Sequence, residues 1–263
     1  MLDDISYCGA FVKEHDPDRF FLSMLCASEH RPALWALFAF NYEIAKTRDV
    51  VSETQLGLIR LQWWRDALEG IYERGEVLEH QVLEPLSRAI KAYDLPKELF
   101  DKLIYAREFD LEDVLPSSLE GVVHYADYTH SPLVELALMI LGVSKDAEPY
   151  QEVAINYALA GILRSVPHLA AHRRCLLAED IMKEKGQSVN RLYEYKRVEA
   201  FPDVVRVVAQ IYKADIKPSS RYLRASQRIA DLYMKQLAQC GYDPFDARMQ
   251  IPPAFKSLRV WLS

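Results

Sequence analysis

The residues of this chain that could act on a charged ligand fall in two short stretches. The first is AKTRDVVSE, which carries Lys46, Arg48 and Asp49; the second is ILRSVPHLAAHRR, which carries Arg164, Ser165, His168, His172 and Arg174. Lys46, Arg48, Arg164 and Arg174 could hold an anionic head group through ammonium and guanidinium donors. The alternative is internal: Lys46 pairs with Asp49 one turn away and Arg48 is solvated. His168 and His172 sit four residues apart, a spacing that can hold zinc on a helix, with His130 as a distant third imidazole. Pro167 disturbs that helix and no third ligand stands out, so ordinary surface or core histidines are the competing reading. No residue is assigned a catalytic role, and no metal ligand is assigned.

Helical patterns must position both stretches. Leu34, Leu37, Phe38, Asn41, Ala45, Arg48 and Ser52 recur at three- and four-residue steps, so one helix face opened by Pro32 runs from apolar to polar. Leu58, Leu61, Trp64, Leu68 and Ile71 make a second helix after a short join containing Thr54, which predicts an antiparallel pair forming one wall of a bundle. Trp63 and Trp64 read as core aromatics first and ligand walls second. Asp16 is a cap with Pro17 at the first helical position, and Gly75 ends the second pair member. Further helices are predicted over Val82–Tyr93, Leu99–Asp113, a stretch from His124 to Val143, and Gln151–Ala171. Two more lie between Phe201 and Ala238, broken at Lys217 and Pro218, and Pro252 and Pro253 start a short last one with Phe255, Leu258 and Trp261.

Half of the 263 residues are hydrophobic, glycine is scarce and sustained period-two alternation is absent, so the expected class is all-α. Nothing resembles a linker, and residues 1–263 read as one single-domain helical bundle. A net charge of −6 with a pI near 5.7 argues against nucleic acid as a partner. Cys8, Cys26, Cys175 and Cys240 have no metal or disulfide spacing, which fits a reducing compartment. Met1–Ala10 is acidic and matches neither a secretory signal nor a presequence, and no apolar run approaches the ~20 residues a membrane span needs. The expectation is a cytoplasmic protein that touches the inner face of the membrane peripherally, through an exposed apolar patch.

The order of these pieces resembles a known family. Trp35, Ala36, Phe38, Ala39 and Phe40, a polar helix end, then Leu61, Trp63, Trp64 and Arg65 are similar to the "WALYAFCR…DDxxD…L..WW" signature of the squalene/phytoene synthase superfamily. Leu163, Arg164, Val166, Arg174 and Leu177 keep the frame of its second motif, Asp110 falls in an acidic family position, and Tyr125 matches a family tyrosine. The resemblance implies the all-α isoprenoid synthase fold, with Tyr42, Ala45, Lys46, Asp49, Arg164, Ser165, His168, Leu169 and Arg174 at family pocket positions. It also implies an apolar lining from Phe38, Phe40, Tyr42 and Leu163 that could hold a lipid or isoprenoid tail.

The family's reaction ionises an allylic diphosphate over Mg²⁺ ions held by aspartates on two facing helices. Without a gap, the first motif's aspartates fall on Ala45, Lys46 and Asp49, and the second motif's on Ser165 and Leu169, with its glutamate on His168. A unit charge ~4 Å from another is worth about 4 kcal/mol at an effective dielectric of ~20, and a divalent ion doubles it. Lys46 in place of a carboxylate should therefore cost the metal several decades of affinity. The family's small Ala-Gly pair is here His130 and Ser131. This pattern of losses, with the Pro-rich, Trp-containing tail, resembles the complex I assembly factor 6 branch. That resemblance implies a non-catalytic protein without a metal cofactor, whose partners are complex I subunits or assembly intermediates, on the matrix side of the inner membrane in eukaryotic relatives. The alternative is a divergent head-to-head prenyl transferase acting on farnesyl or geranylgeranyl diphosphate.

Overall fold

The computed structural model describes residues 5–112, 114–194 and 201–263, so Met1–Asp4 of the acidic start and Asp113, the expected end of one helix, lie outside it. The described residues contain helices and no strand. In chain order these are α1 Tyr7–His15, α2 Pro17–Met24, α3 Arg31–Ala45, α4 Thr47–Val50, α5 Thr54–Glu69, α6 Leu83–Tyr93, α7 Lys97–Glu108 and α8 Leu119–Ile140. There follow α9 Tyr150–Arg164, α10 Val166–Ala171, α11 Glu179–Glu184, α12 Val189–Tyr193, α13 Phe201–Ala209, α14 Arg221–Gln239 and α15 Lys256–Trp261.

Local chemistry sets the ends. The Asp16 side chain accepts from the Arg19 N–H at 3.0 Å while Pro17 occupies the first turn of α2, satisfying a donor that the helix leaves unpaired. Ser118 does the same for α8, accepting from Gly121 N–H at 3.3 Å. Helix α5 widens into a π-turn over Gly70–Arg74 and is closed by Gly75 at φ 67°, a left-handed value that glycine adopts without Cβ strain.

The centre of the bundle is α3 with α8 and α9. Leu34, Leu37, Phe38, Phe40 and Ile44 are at most 1% exposed, so α3 is buried on nearly every side, as an all-round apolar helix must be. Helix α8 packs along α7 on one side and α9 on the other, and α14 covers α9. Helix α5 lies chiefly against α7, and Gly57 lets it pass Leu111, where an added Cβ would come within 2.5 Å. Its link to α3 is made by side chains: Phe40 against Trp64, with ring centroids 5.4 Å apart, and Arg60 to Glu43 at 2.7 Å.

Several expectations need correction. The first motif helix stops at Ala45 and restarts as α4, so Arg48 and Ser52 do not continue the α3 face. Phe38, Phe40 and Leu163 are core residues, each at most 1% exposed. Trp64 is buried at 1%, but Trp63 is 38% exposed because its position on α5 points away from α7. The break between α13 and α14 spans residues 210–220, wider than Lys217 and Pro218 alone, and α15 begins at Lys256, after Pro252 and Pro253.

The two tryptophans separate core from surface. Trp64→Ala should cost about 3–5 kcal/mol in urea unfolding, as buried aromatic truncations do, and Trp63→Ala less than about 1 kcal/mol. Equal losses would mean that the α5 face is assigned wrongly.

Candidate functional site

Helix α9 ends at Arg164, Ser165 bridges, and α10 starts with Pro167 in its first turn. This break turns the chain so that Arg174, held through its N–H to the Leu169 carbonyl at 2.8 Å, points back between α4 and α7. There its guanidinium meets two carboxylates. Nη2 lies 2.6 Å from Asp110 Oδ1, and Nη1 lies 3.7 Å from Asp49 Oδ1.

Asp110 is the centre of the cluster, with its side chain 3% exposed. It also accepts from Tyr125 Oη at 2.8 Å and faces Arg107 Nη1 at 3.5 Å. Burial first, then the Asp110 charge, pushes the Tyr125 phenol up, so it remains a hydrogen-bond donor at any physiological pH. Arg107 is 8% exposed and its Nε has no partner among the described residues. One carboxylate is thus shared by two guanidinium groups and a phenol, and the surviving motif aspartate, Asp49, completes the neutralisation from the solvent side.

The other sequence-derived positions have their own partners. Lys46 bonds Glu43 at 2.6 Å and lies over the rings of Phe11 and Tyr42; it does not pair with Asp49, because Glu43 is one turn back on the buried side of α3 and Arg174 reaches Asp49 first. Arg48 is half-buried where solvation was expected. Arg164 lies 3.3 Å from Asp18 and stacks 4.2 Å from the Tyr233 ring centroid. Its side chain is 40% exposed. Ser165 donates to the Ile162 carbonyl at 3.0 Å, and Leu169 is buried with Ala126, Ala158, Ile162 and Leu176. Ala45 and Tyr42 are half-buried. The structure therefore joins Asp49, Leu169 and Arg174 at one place and sets Arg164 in a separate cluster.

That second cluster was not visible in the sequence. Asp18, 7% exposed, receives Arg164, the Tyr233 hydroxyl at 3.1 Å and the Lys256 ammonium from the far end of the chain. Near it Arg19 bonds Asp16 at 2.5 Å and covers the Tyr157 ring at 5.2 Å. His130 faces the same ring, with centroids 6.2 Å apart. Thr129 donates its only hydroxyl proton to the Tyr125 carbonyl at 2.6 Å, so its oxygen accepts from His130 Nδ1 at 2.9 Å and leaves Nε2 as an acceptor. Burial, then the charges of Arg19 and Arg107, holds the His130 imidazole well below its ordinary pKa.

The rings of His168 and His172 lie 4.4 Å apart, tilted at 46°, and the ring of His172 turns to the His168 carbonyl at 2.8 Å. No group of three or more His, Cys, Asp or Glu side chains suited to a metal ion occurs among the described residues. The family's Mg²⁺ cluster does not fit the donor set here: an alanine, a lysine, a serine, a histidine and a leucine stand at five of its carboxylate positions, and the sixth, Asp49, is paired with Arg174. The four cysteines are free, and burial first pushes the Cys8, Cys26 and Cys175 thiols up to about 11, which leaves them poor nucleophiles.

The chain belongs to the squalene/phytoene synthase family, whose model matches residues 12–253. It is 30% identical to the human protein named NADH dehydrogenase (ubiquinone) complex I, assembly factor 6, over 97% of this chain and 81% of that one. Among solved structures, a dehydrosqualene synthase superposes with a TM-score of 0.79 at 16% identity, covering 97% of this chain and 93% of the other. A squalene synthase from Alicyclobacillus acidocaldarius gives 0.75 at 17% identity, covering 90% and 94%. These two matches establish the all-α synthase fold.

Two measurements probe the site. Arg174→Ala should lower unfolding stability by about 3–5 kcal/mol, because it strips a partner from a buried carboxylate, whereas Arg174→Ala with Asp110→Asn should recover part of that loss; strict additivity would show that the two do not interact. His130 is held neutral in the fold but charges near pH 6.5 when unfolded. The unfolded chain then binds more protons below that pH, so stability should fall as pH drops through 6.5 and towards the lowered native value. His130→Gln should flatten this part of the pH–stability curve, and an unchanged slope would remove His130 as its source.

Proposed function

We propose that this chain is a non-catalytic assembly factor for respiratory complex I that keeps the synthase fold as one domain and has given up its chemistry. The observation that carries the reading is the Arg174 guanidinium bonded to Asp110 and facing Asp49 at 3.7 Å. A family enzyme needs its motif carboxylates free to bind metal and diphosphate, and here a cation of the protein itself meets the one that is left. Lys46 and Arg164 are likewise matched to Glu43 and Asp18, so a diphosphate would have to displace internal carboxylates to gain each cation. The human relative's name, at 30% identity over nearly the whole chain, points the same way. The partners on this reading are complex I subunits or assembly intermediates.

No helix among the described residues is long and apolar enough to cross a membrane. The place of action on this reading is the matrix or cytoplasmic side of the membrane that holds complex I, reached by peripheral contact. The competing reading, a divergent prenyl transferase, would require a metal site for which the donor set is lacking.

Deleting the gene should lower assembled, rotenone-sensitive NADH:ubiquinone oxidoreductase on native gels and leave squalene- and phytoene-derived lipids unchanged. Purified protein with farnesyl or geranylgeranyl diphosphate, Mg²⁺ and NADPH should give no squalene or phytoene. Normal complex I with missing polyprenoids, or product formation lost in Asp49→Ala, would overturn the assignment in favour of the enzyme.

A further inference from the structure

The last helix is pinned on one side and bare on the other. Lys256 and Val260 face inward, the first onto Asp18 and Tyr233 and the second 1% exposed. One helical face away, Leu258, Trp261 and Leu262 are 55%, 57% and 68% exposed, and just before them Ile251 and Phe255 are 65% and 78% exposed. Phe255 also sits at φ 53°, a left-handed backbone that a phenylalanine enters only at a cost. Burial within the chain does not repay that cost, since the ring points into solvent.

A recess of about 410 Å³ runs from the end of α13 along α14 to Arg259 of α15, with Arg228, Lys235 and Asp231 in its lining. Asp231 is occupied by Tyr212 and by Gln227 at 2.9 Å, and none of the three cations takes part in an ion pair among the described residues. The protein as a whole carries −6, so an unpaired basic cluster flanking five exposed apolar side chains is a local departure from its overall charge.

We propose that this face is a membrane-docking surface for an anionic bilayer, in which Phe255, Leu258, Trp261 and Leu262 enter the interface while Arg228, Lys235 and Arg259 meet lipid phosphates. The charge says which occupant fits: a basic rim complements acidic head groups, and an aromatic and aliphatic wedge complements the boundary beneath them. The inference rests on the peripheral-contact part of the reading above and adds to it the surface and the lipid chemistry.

The test uses the full chain and vesicles of phosphatidylcholine, either alone or with roughly a third phosphatidylglycerol. The wild type should sediment with the anionic vesicles, less so as salt rises, and show a blue shift in emission that Trp261→Phe reduces. A Phe255→Ser, Leu258→Ser, Trp261→Ser variant should lose binding roughly tenfold or more, and Lys235→Glu with Arg259→Glu should lose roughly tenfold on anionic vesicles only. Because these side chains are exposed, thermal unfolding of both variants should match wild type, which separates lost docking from lost folding. Wild type remaining in the supernatant with both vesicles, variants that bind as wild type does, or a dimer that the serine variant dissociates in the absence of vesicle binding would each overturn the proposal. Vesicle binding needs no complex I: a deletion strain with normal complex I would remove the assembly reading and leave this surface standing.

Discussion

The bond between Arg174 and Asp110 is the constraint around which the rest of this structure is arranged. Asp110 is buried at the end of α7 in a three-residue 3₁₀ turn, Phe109–Leu111, that also receives α5 through Leu111 and Thr54. An ionised carboxylate at that depth is costly unless it is paired and its lone pairs are satisfied. Arg174 and Tyr125 satisfy them from the 165–174 segment and from α8, so one residue ties three parts of the chain together. The kink at Pro167 belongs to the same arrangement, since an uninterrupted α9 would carry position 174 past the cluster. Here a guanidinium of the chain itself does the neutralising work.

The Asp18 cluster repeats the device at the other end of the bundle. Arg164 from α9, Tyr233 from α14 and Lys256 from α15 converge on one carboxylate of α2, and the last of these fixes the orientation of the closing helix. Each cluster stabilises by avoiding an unpaired buried charge more than by adding attraction. Between them lie Arg19, His130 and Tyr157, with the imidazole held neutral by burial and by the neighbouring guanidinium charges.

Much of the fold was legible because its signals are local. Asp16 before Pro17, the apolar steps of α3 and the glycine after Arg74 each act within a turn or two, and each marked an element end or face that the structure contains. The site was less legible because its partners are remote. Lys46 has Asp49 three residues ahead and Glu43 three residues behind; spacing cannot choose between them, and the choice is made by Arg174, 125 positions from Asp49, taking the forward one. Trp63 and Trp64 are adjacent in sequence and opposite in burial, which depends on where α7 lies. Asp18 reads as one more acid in a capping turn until Lys256 arrives from the tail. Arg107 and Asp110, three apart in AREFDL, were the one local sign of the buried cluster.

The internal pairing also bears on how a fold can leave catalysis behind without falling apart. A site that holds carboxylates ready for metal keeps like charges close together and is relieved only when the ions bind. Ala45 and Lys46 carry no such repulsion, and Asp49 lies 3.7 Å from Arg174. An aspartate at position 46 would sit one turn from Glu43, with which Lys46 is bonded. Freeing Asp49 would mean removing Arg174, which would strand Asp110 in the core with only Tyr125 and the longer Arg107 contact. These contacts are therefore coupled through shared partners, so a change at one of them is felt at the others.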